Sequence, residues 1–177
     1  LNYMIVKYTL PARILHWLTA LAIISAFALG LTTGGMEGFS LQKLQLINYH
    51  KWIGITVLGL VAIRLLWRLS HRPPALPANM AKWERQGAHL AHMALYVLMF
   101  AVPLGGWLYS SAKGFPVVWL GLVKLPDLME KNEALAHTIK EMHELGAWVL
   151  IALAVAHAAA ALKHHFIQRD DVLKRML

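Results

Sequence analysis

Ten histidines are spread through a chain of 177 residues that has no cysteine. Six of them, His16, His50, His89, His92, His143 and His157, lie within or at the ends of long apolar stretches. An ionisable group in hydrocarbon is costly and as a rule turns inward to a partner. The other four read as solvated or interfacial: His71 in a connector, His137 on an amphipathic stretch, and His164 and His165 past the last apolar block. Without cysteine, disulfides, iron–sulfur clusters, thiolate-ligated haem and covalent haem attachment through C-x-x-C-H are excluded. Histidine and methionine remain as the soft ligands.

Helix geometry sorts the six. His143 and His157 are separated by about 21 Å along a helix axis at 1.5 Å per residue, and their directions differ by only about 40°. One helix therefore offers an imidazole near each of its ends, on one face. His16 stands at the level of His157 if the first helix starts on the side of the termini, and His50 at the level of His143. Each level then offers two imidazoles from two helices, which is what clamping a flat macrocycle between axial ligands requires. Zinc competes, because His89 and His92 could join the level of His16 and His157. It needs three or four ligands around one point, and no carboxylate is buried among these residues. Gly54, Gly146, Ala154, Ala158 and Ala161 leave room for a bulky ligand or for close helix packing.

The elements that must position these residues are membrane spans. The chain is 58% hydrophobic and 15% charged, with a mean hydropathy of +0.51. Crossing about 30 Å of hydrocarbon takes roughly 17–25 helical residues. Four apolar blocks are long enough, over about 14–31, 49–69, 89–109 and 143–162. The fold class expected is all-α, an integral membrane four-helix bundle, with residues 1–177 forming a single membrane domain. The first block is read as a permanent helix rather than a cleaved signal. Pro103 with Gly105–Gly106 predicts a kink in the third span. The apolar run from Phe115 to Leu122 suits an interfacial or re-entrant position. Pro126 and Asp127, with Glu130 three residues on, predict the start of an amphipathic helix that flows into the fourth span.

Charge sets the expected orientation. The side of the termini collects eleven basic and three acidic residues, the other side six of each. By the positive-inside rule both termini are cytoplasmic. The net charge of +8 is then a topology signal, and no nucleic-acid partner is expected.

The sequence resembles the bacterial cytochrome b561 family, four-helix di-haem membrane proteins that include superoxide oxidases. The residues that carry the likeness are His16-Trp17, His50, the stretch GAHLAHMALY from Gly87 to Tyr96, KGFPVVWLGL, and HAAAALKHHF from His157 to Phe166. The resemblance implies a bundle enclosing two b-type haems in the bacterial inner membrane. The iron ligands it implies are His16 with His157 for an inner haem and His50 with His143 for an outer one. It also implies electron transfer between the periplasmic face and the quinone pool, with superoxide as donor and ubiquinone as acceptor. Lys51 and Lys140 flank the outer pair and could steer an anion, although Glu141 and Glu144 are as near. Arg64 and Arg68 are candidate partners for haem propionates, and His89 and His92 for propionates or a quinone carbonyl. Two other readings remain open. One is a haem b subunit serving a partner dehydrogenase or hydrogenase. The other is a haem-free membrane protein that carries a divalent metal or acts as an anchor.

Overall fold

A computed structural model describes residues 6–77 and 80–177. Four long helices follow one another: α1 (Leu10–Gly34), α2 (Leu41–Ser70), α3 (Lys82–Ala112) and α4 (Glu133–Lys163). Each is apolar enough and long enough to cross a membrane. Even α1, with 25 residues, extends about 37 Å, more than the hydrocarbon thickness. The helices run several residues beyond the apolar blocks at most ends, because the interfacial turns stay helical where polar side chains can reach water.

Most large apolar side chains point outward. Leu21, Ile24, Leu66, Val97 and Val155 are all exposed, a surface that suits lipid rather than water. The buried core is small: Val57, Val61, Met99 and Leu150, backed by Ile23, Ile53, Leu95 and Phe100. Leu150 is seven residues from both His143 and His157. This cluster therefore lies midway between the two histidine levels. Thr19 and Thr56, inside the spans, donate to carbonyls of their own helices, to Leu15 at 2.6 Å and to Trp52 at 2.9 Å, which satisfies these two hydroxyls in hydrocarbon.

Pairing is closest between α1 and α2 and between α3 and α4, and the two hairpins meet through α2 and α3. Pro103 sits inside α3, which continues through it and through Gly105–Gly106 to Ala112.

At the end away from the termini, the connection after α3 folds back onto it. The Trp107 indole donates to the Pro126 carbonyl at 3.1 Å, the Leu128 amide to Ser111 Oγ at 3.1 Å, and the Asn132 amide to the Ala112 carbonyl at 2.9 Å. These bonds hold residues 126–132 as loop. The expected helix start at Asp127 is thus corrected: α4 begins at Glu133, capped by Asn132, whose side chain accepts from the Leu135 amide at 3.1 Å. It then runs without a break into the fourth span, as the sequence had suggested. The apolar run before it forms a short antiparallel hairpin, β1 (Val118–Trp119) with β2 (Val123–Lys124). Trp52 donates to the Val118 carbonyl at 2.6 Å and Trp119 to Thr56 Oγ1 at 3.2 Å, pinning the hairpin along the middle of α2.

At the end that holds the termini, α4 passes through a π-helical turn, His164–Gln168. His164 pairs with Asp170 at 2.6 Å, and the chain turns back across the bundle. Trp17 donates to the Met176 carbonyl at 2.8 Å and the Tyr8 amide to the Arg175 carbonyl at 3.0 Å. Lys163 and Gln168 both reach Glu84 on α3, at 2.9 and 3.1 Å.

Candidate functional site

Two layers of histidines face each other inside the bundle. At the far end, His50 on α2 and His143 on α4 have ring centroids 6.0 Å apart with planes at 84°. At the terminus end, His16 on α1 and His157 on α4 are 6.4 Å apart with planes at 66°. His92 on α3 also approaches His157, at 5.3 Å.

The far-end pair has a defined tautomer. His50 Nδ1 is 2.8 Å from the Ala26 carbonyl, and His143 Nδ1 is 2.8 Å from the Val102 carbonyl. A carbonyl only accepts, so each Nδ1 carries the proton and each Nε2 keeps a lone pair. A second hydrogen bond of this kind is what orients a metal-ligating imidazole and raises its basicity.

The terminus-end pair differs. Arg64 on α2 lies 2.9 Å from His16 Nδ1, and a guanidinium only donates, so this Nδ1 accepts. Arg64 and Arg68 also sit over the Tyr96 ring, at 5.5 and 5.9 Å. Beside them a cavity of about 290 Å³ is lined by Tyr8, Arg68, Arg85, His89 and His92 together with the proline-rich connector. The candidate residues Arg64, Arg68, His89 and His92 therefore gather at one end with His16 and His157.

Lys51 and Lys140 flank the far-end pair unequally. Lys140 is paired with Glu144 at 2.7 Å, which cancels much of its charge, while Lys51 is half-buried beside His50. Nearby, Lys113 binds Glu133 at 2.7 Å, and that hydrogen-bonded carboxylate holds the ammonium above the ordinary lysine range.

The arrangement fits a macrocycle better than a lone ion. A metal–imidazole bond is about 2 Å and the ring centre lies about 1 Å further, so two trans imidazoles have centroids about 6 Å apart. Both facing pairs have this spacing. Among the described residues, no three His, Asp or Glu side chains converge where one metal ion could be held. Room for the rings is built into the facing helices: a methyl at Gly106 would stand 2.9 Å from His143 Cε1. At the terminus end the spacing fits equally, but His16 can offer Nε2 to a metal only when Nδ1 carries its proton, which requires Arg64 to turn elsewhere. A propionate is a strong alternative partner for it.

A family model for prokaryotic cytochrome b561 matches residues 7–177. The chain belongs to the prokaryotic cytochrome b561 family. Its relatives include cytochrome b561 homolog 2 of Escherichia coli K12, 37% identical over 97% of this chain and 91% of that protein. Homolog 1 of the same organism is 32% identical over 92% of each. The probable superoxide oxidase CybB of Yersinia pestis is 30% identical over 97% of this chain and 96% of that protein. Membership makes this chain a multi-pass inner-membrane electron-transfer protein of a b-type haem family.

Several contacts of this site were not anticipated from sequence: the Ala26 and Val102 carbonyls, the Arg64–His16 contact, and the seats left by Gly30 and Gly106. Only the glycines carried a signal, as small residues facing histidines across helix pairs.

Proposed function

We propose that this cytochrome b561-family protein carries electrons across the bilayer through two b-type haems, oxidising superoxide at the periplasmic end and reducing ubiquinone at the cytoplasmic end. His50 and His143 would hold one haem, and His16 and His157 the other. A haem held by both histidines of a pair would supply one-electron exchange. The observation that carries the reading is the pair of facing imidazoles repeated at two depths, with ring centroids 6.0 and 6.4 Å apart.

The chain's own residues have distinct tasks. The Ala26 and Val102 carbonyls fix the far-end tautomers. Arg64 and Arg68 would neutralise propionates. The cavity beside His89 and His92 has a largely apolar wall with a few polar side chains, which suits a quinone ring. The termini lie in the cytoplasm on the strength of the basic residues at that end. The reaction balances as two superoxide anions, two protons and one ubiquinone giving two dioxygen molecules and one ubiquinol.

The purified chain, reconstituted with haem, should reduce a soluble ubiquinone analogue in a steady flux of superoxide, faster than the uncatalysed rate. The oxidised-minus-reduced spectrum should report two b-type haems per chain. A chain that carries both haems but turns over only when a partner dehydrogenase is added refutes the superoxide assignment and favours a docking subunit.

A further inference from the structure

The far-end pair is seated on one local arrangement that both helical hairpins repeat. On α1, the Ala26 carbonyl meets His50 Nδ1 at 2.8 Å. Four residues on, a Cβ added to Gly30 would lie 3.4 Å from His50 Cε1 and 3.6 Å from Nδ1. On α3, the Val102 carbonyl meets His143 Nδ1 at 2.8 Å. Four residues on, a Cβ at Gly106 would lie 2.9 Å from His143 Cε1, 3.3 Å from Nδ1 and 3.5 Å from Nε2. Residue i+4 of a helix stands one turn above residue i on the same face. Carbonyl and bare glycine therefore make one shelf, and the Nδ1–Cε1 edge of the imidazole lies along it.

We propose that Gly30 and Gly106 are positioning residues for the far-end ligand pair, seating the rings so that each Nδ1–H reaches the carbonyl one turn back. The proposal rests on His50 and His143 being iron ligands. Among the described residues, no glycine shelf of this kind faces His16 or His157, and His16 meets Arg64 instead. The shelf is therefore specific to one level.

Its effect is electronic as well as steric. The hydrogen bond to a carbonyl makes the imidazole a stronger donor and favours ferric iron. The angle between the two ring planes, 84° here, sets the splitting of the iron orbitals that π-bond to the imidazoles, and with it the ferric electron paramagnetic resonance signal. A methyl at Gly106 cannot coexist with the ring as seated. Moving the ring weakens the hydrogen bond, turns the plane, or both.

The test uses the haem-loaded full chain and three glycine-to-alanine variants, with His143→Ala to assign the signals. Gly106→Ala should move the far-end resonance signal and raise that haem's midpoint potential by about 60 mV, a tenfold change in the ferric-to-ferrous balance for one electron. The terminus-end haem should not move. Gly105→Ala shares the helix and its proline, yet its Cβ would meet His143 no closer than 3.9 Å. Gly59→Ala faces outward with nothing within 4 Å. Both should leave both haems unchanged. An unmoved far-end haem in Gly106→Ala overturns the proposal, as does an equal shift in Gly105→Ala, which would mark a general role in bending α3. The far-end signal is assigned by its loss in His143→Ala; if that variant keeps both signals, the ligand reading itself fails, and the proposal with it. Should Gly106→Ala not accumulate, Gly30→Val pushes on His50 from the other hairpin, and an unchanged far-end signal there overturns the proposal as well.

Discussion

His157 has two neighbours that could share an iron with it, and their distances separate them. Two trans imidazoles need centroids about 6 Å apart, from two metal–nitrogen bonds of about 2 Å and two half-rings of about 1 Å. His16 satisfies this at 6.4 Å and His92 misses it at 5.3 Å. With arms of about 3 Å on each side, a separation of 5.3 Å closes the angle at the metal to about 120°, far from the straight line that axial ligands on a porphyrin adopt. His92→Ala should therefore keep both haems, whereas His157→Ala and His16→Ala should each halve the haem content. The assay is the pyridine haemochrome ratio to protein in purified material, with the visible spectrum identifying which haem survives. Loss of one haem in His92→Ala, or its retention in His157→Ala, would show that centroid spacing does not select the ligands and would refute the pairing.

Three further outcomes follow from the packing and charge. Leu150→Ala removes about 80 Å³ from the mid-height cluster; at ~24 cal/mol per Å³ this costs about 2 kcal/mol of cavity energy, with little transfer energy because the surrounding lipid is equally apolar. A shift in the unfolding midpoint in mixed micelles measures it, and no shift would contradict the burial of Leu150. Asn132→Ala should cost about 1 kcal/mol through loss of the α4 cap, read in the same assay. In the superoxide–quinone assay at low ionic strength, Lys51→Met should slow turnover at least about twofold, while Lys140→Met, already paired with Glu144, should change it by less. Equal losses would mean that neither charge steers the donor.

Much of this site could be read in the sequence because helices impose one period on everything they carry. That His16 meets His157 and His50 meets His143 follows from chain direction, span length and 100° per residue. The far-end tautomers could not be read this way, since Ala26 and Val102 contribute carbonyls and any residue has one. The Asp127 start misled for a physical reason: Pro126 and Leu128 spend their backbone groups on Trp107 and Ser111, so the helix waits for Asn132. The hairpin at Val118–Lys124 is fixed by two indoles reaching across from α2 and from within the hairpin itself. Such long-range bonds leave no local period.

The plug of Val57, Val61, Met99 and Leu150 has a bioenergetic consequence. It sits about 10 Å from either imidazole of α4 and presents no polar group on which a proton could hop. Electrons can tunnel past such side chains, which offer a proton no relay of their own. On the proposed orientation each inward electron moves against a cytoplasm that is already negative, at a cost approaching about 2.3 kcal/mol per 100 mV for a full crossing. A polarised cell should therefore slow this cytochrome, and an ionophore that collapses the potential should speed it up.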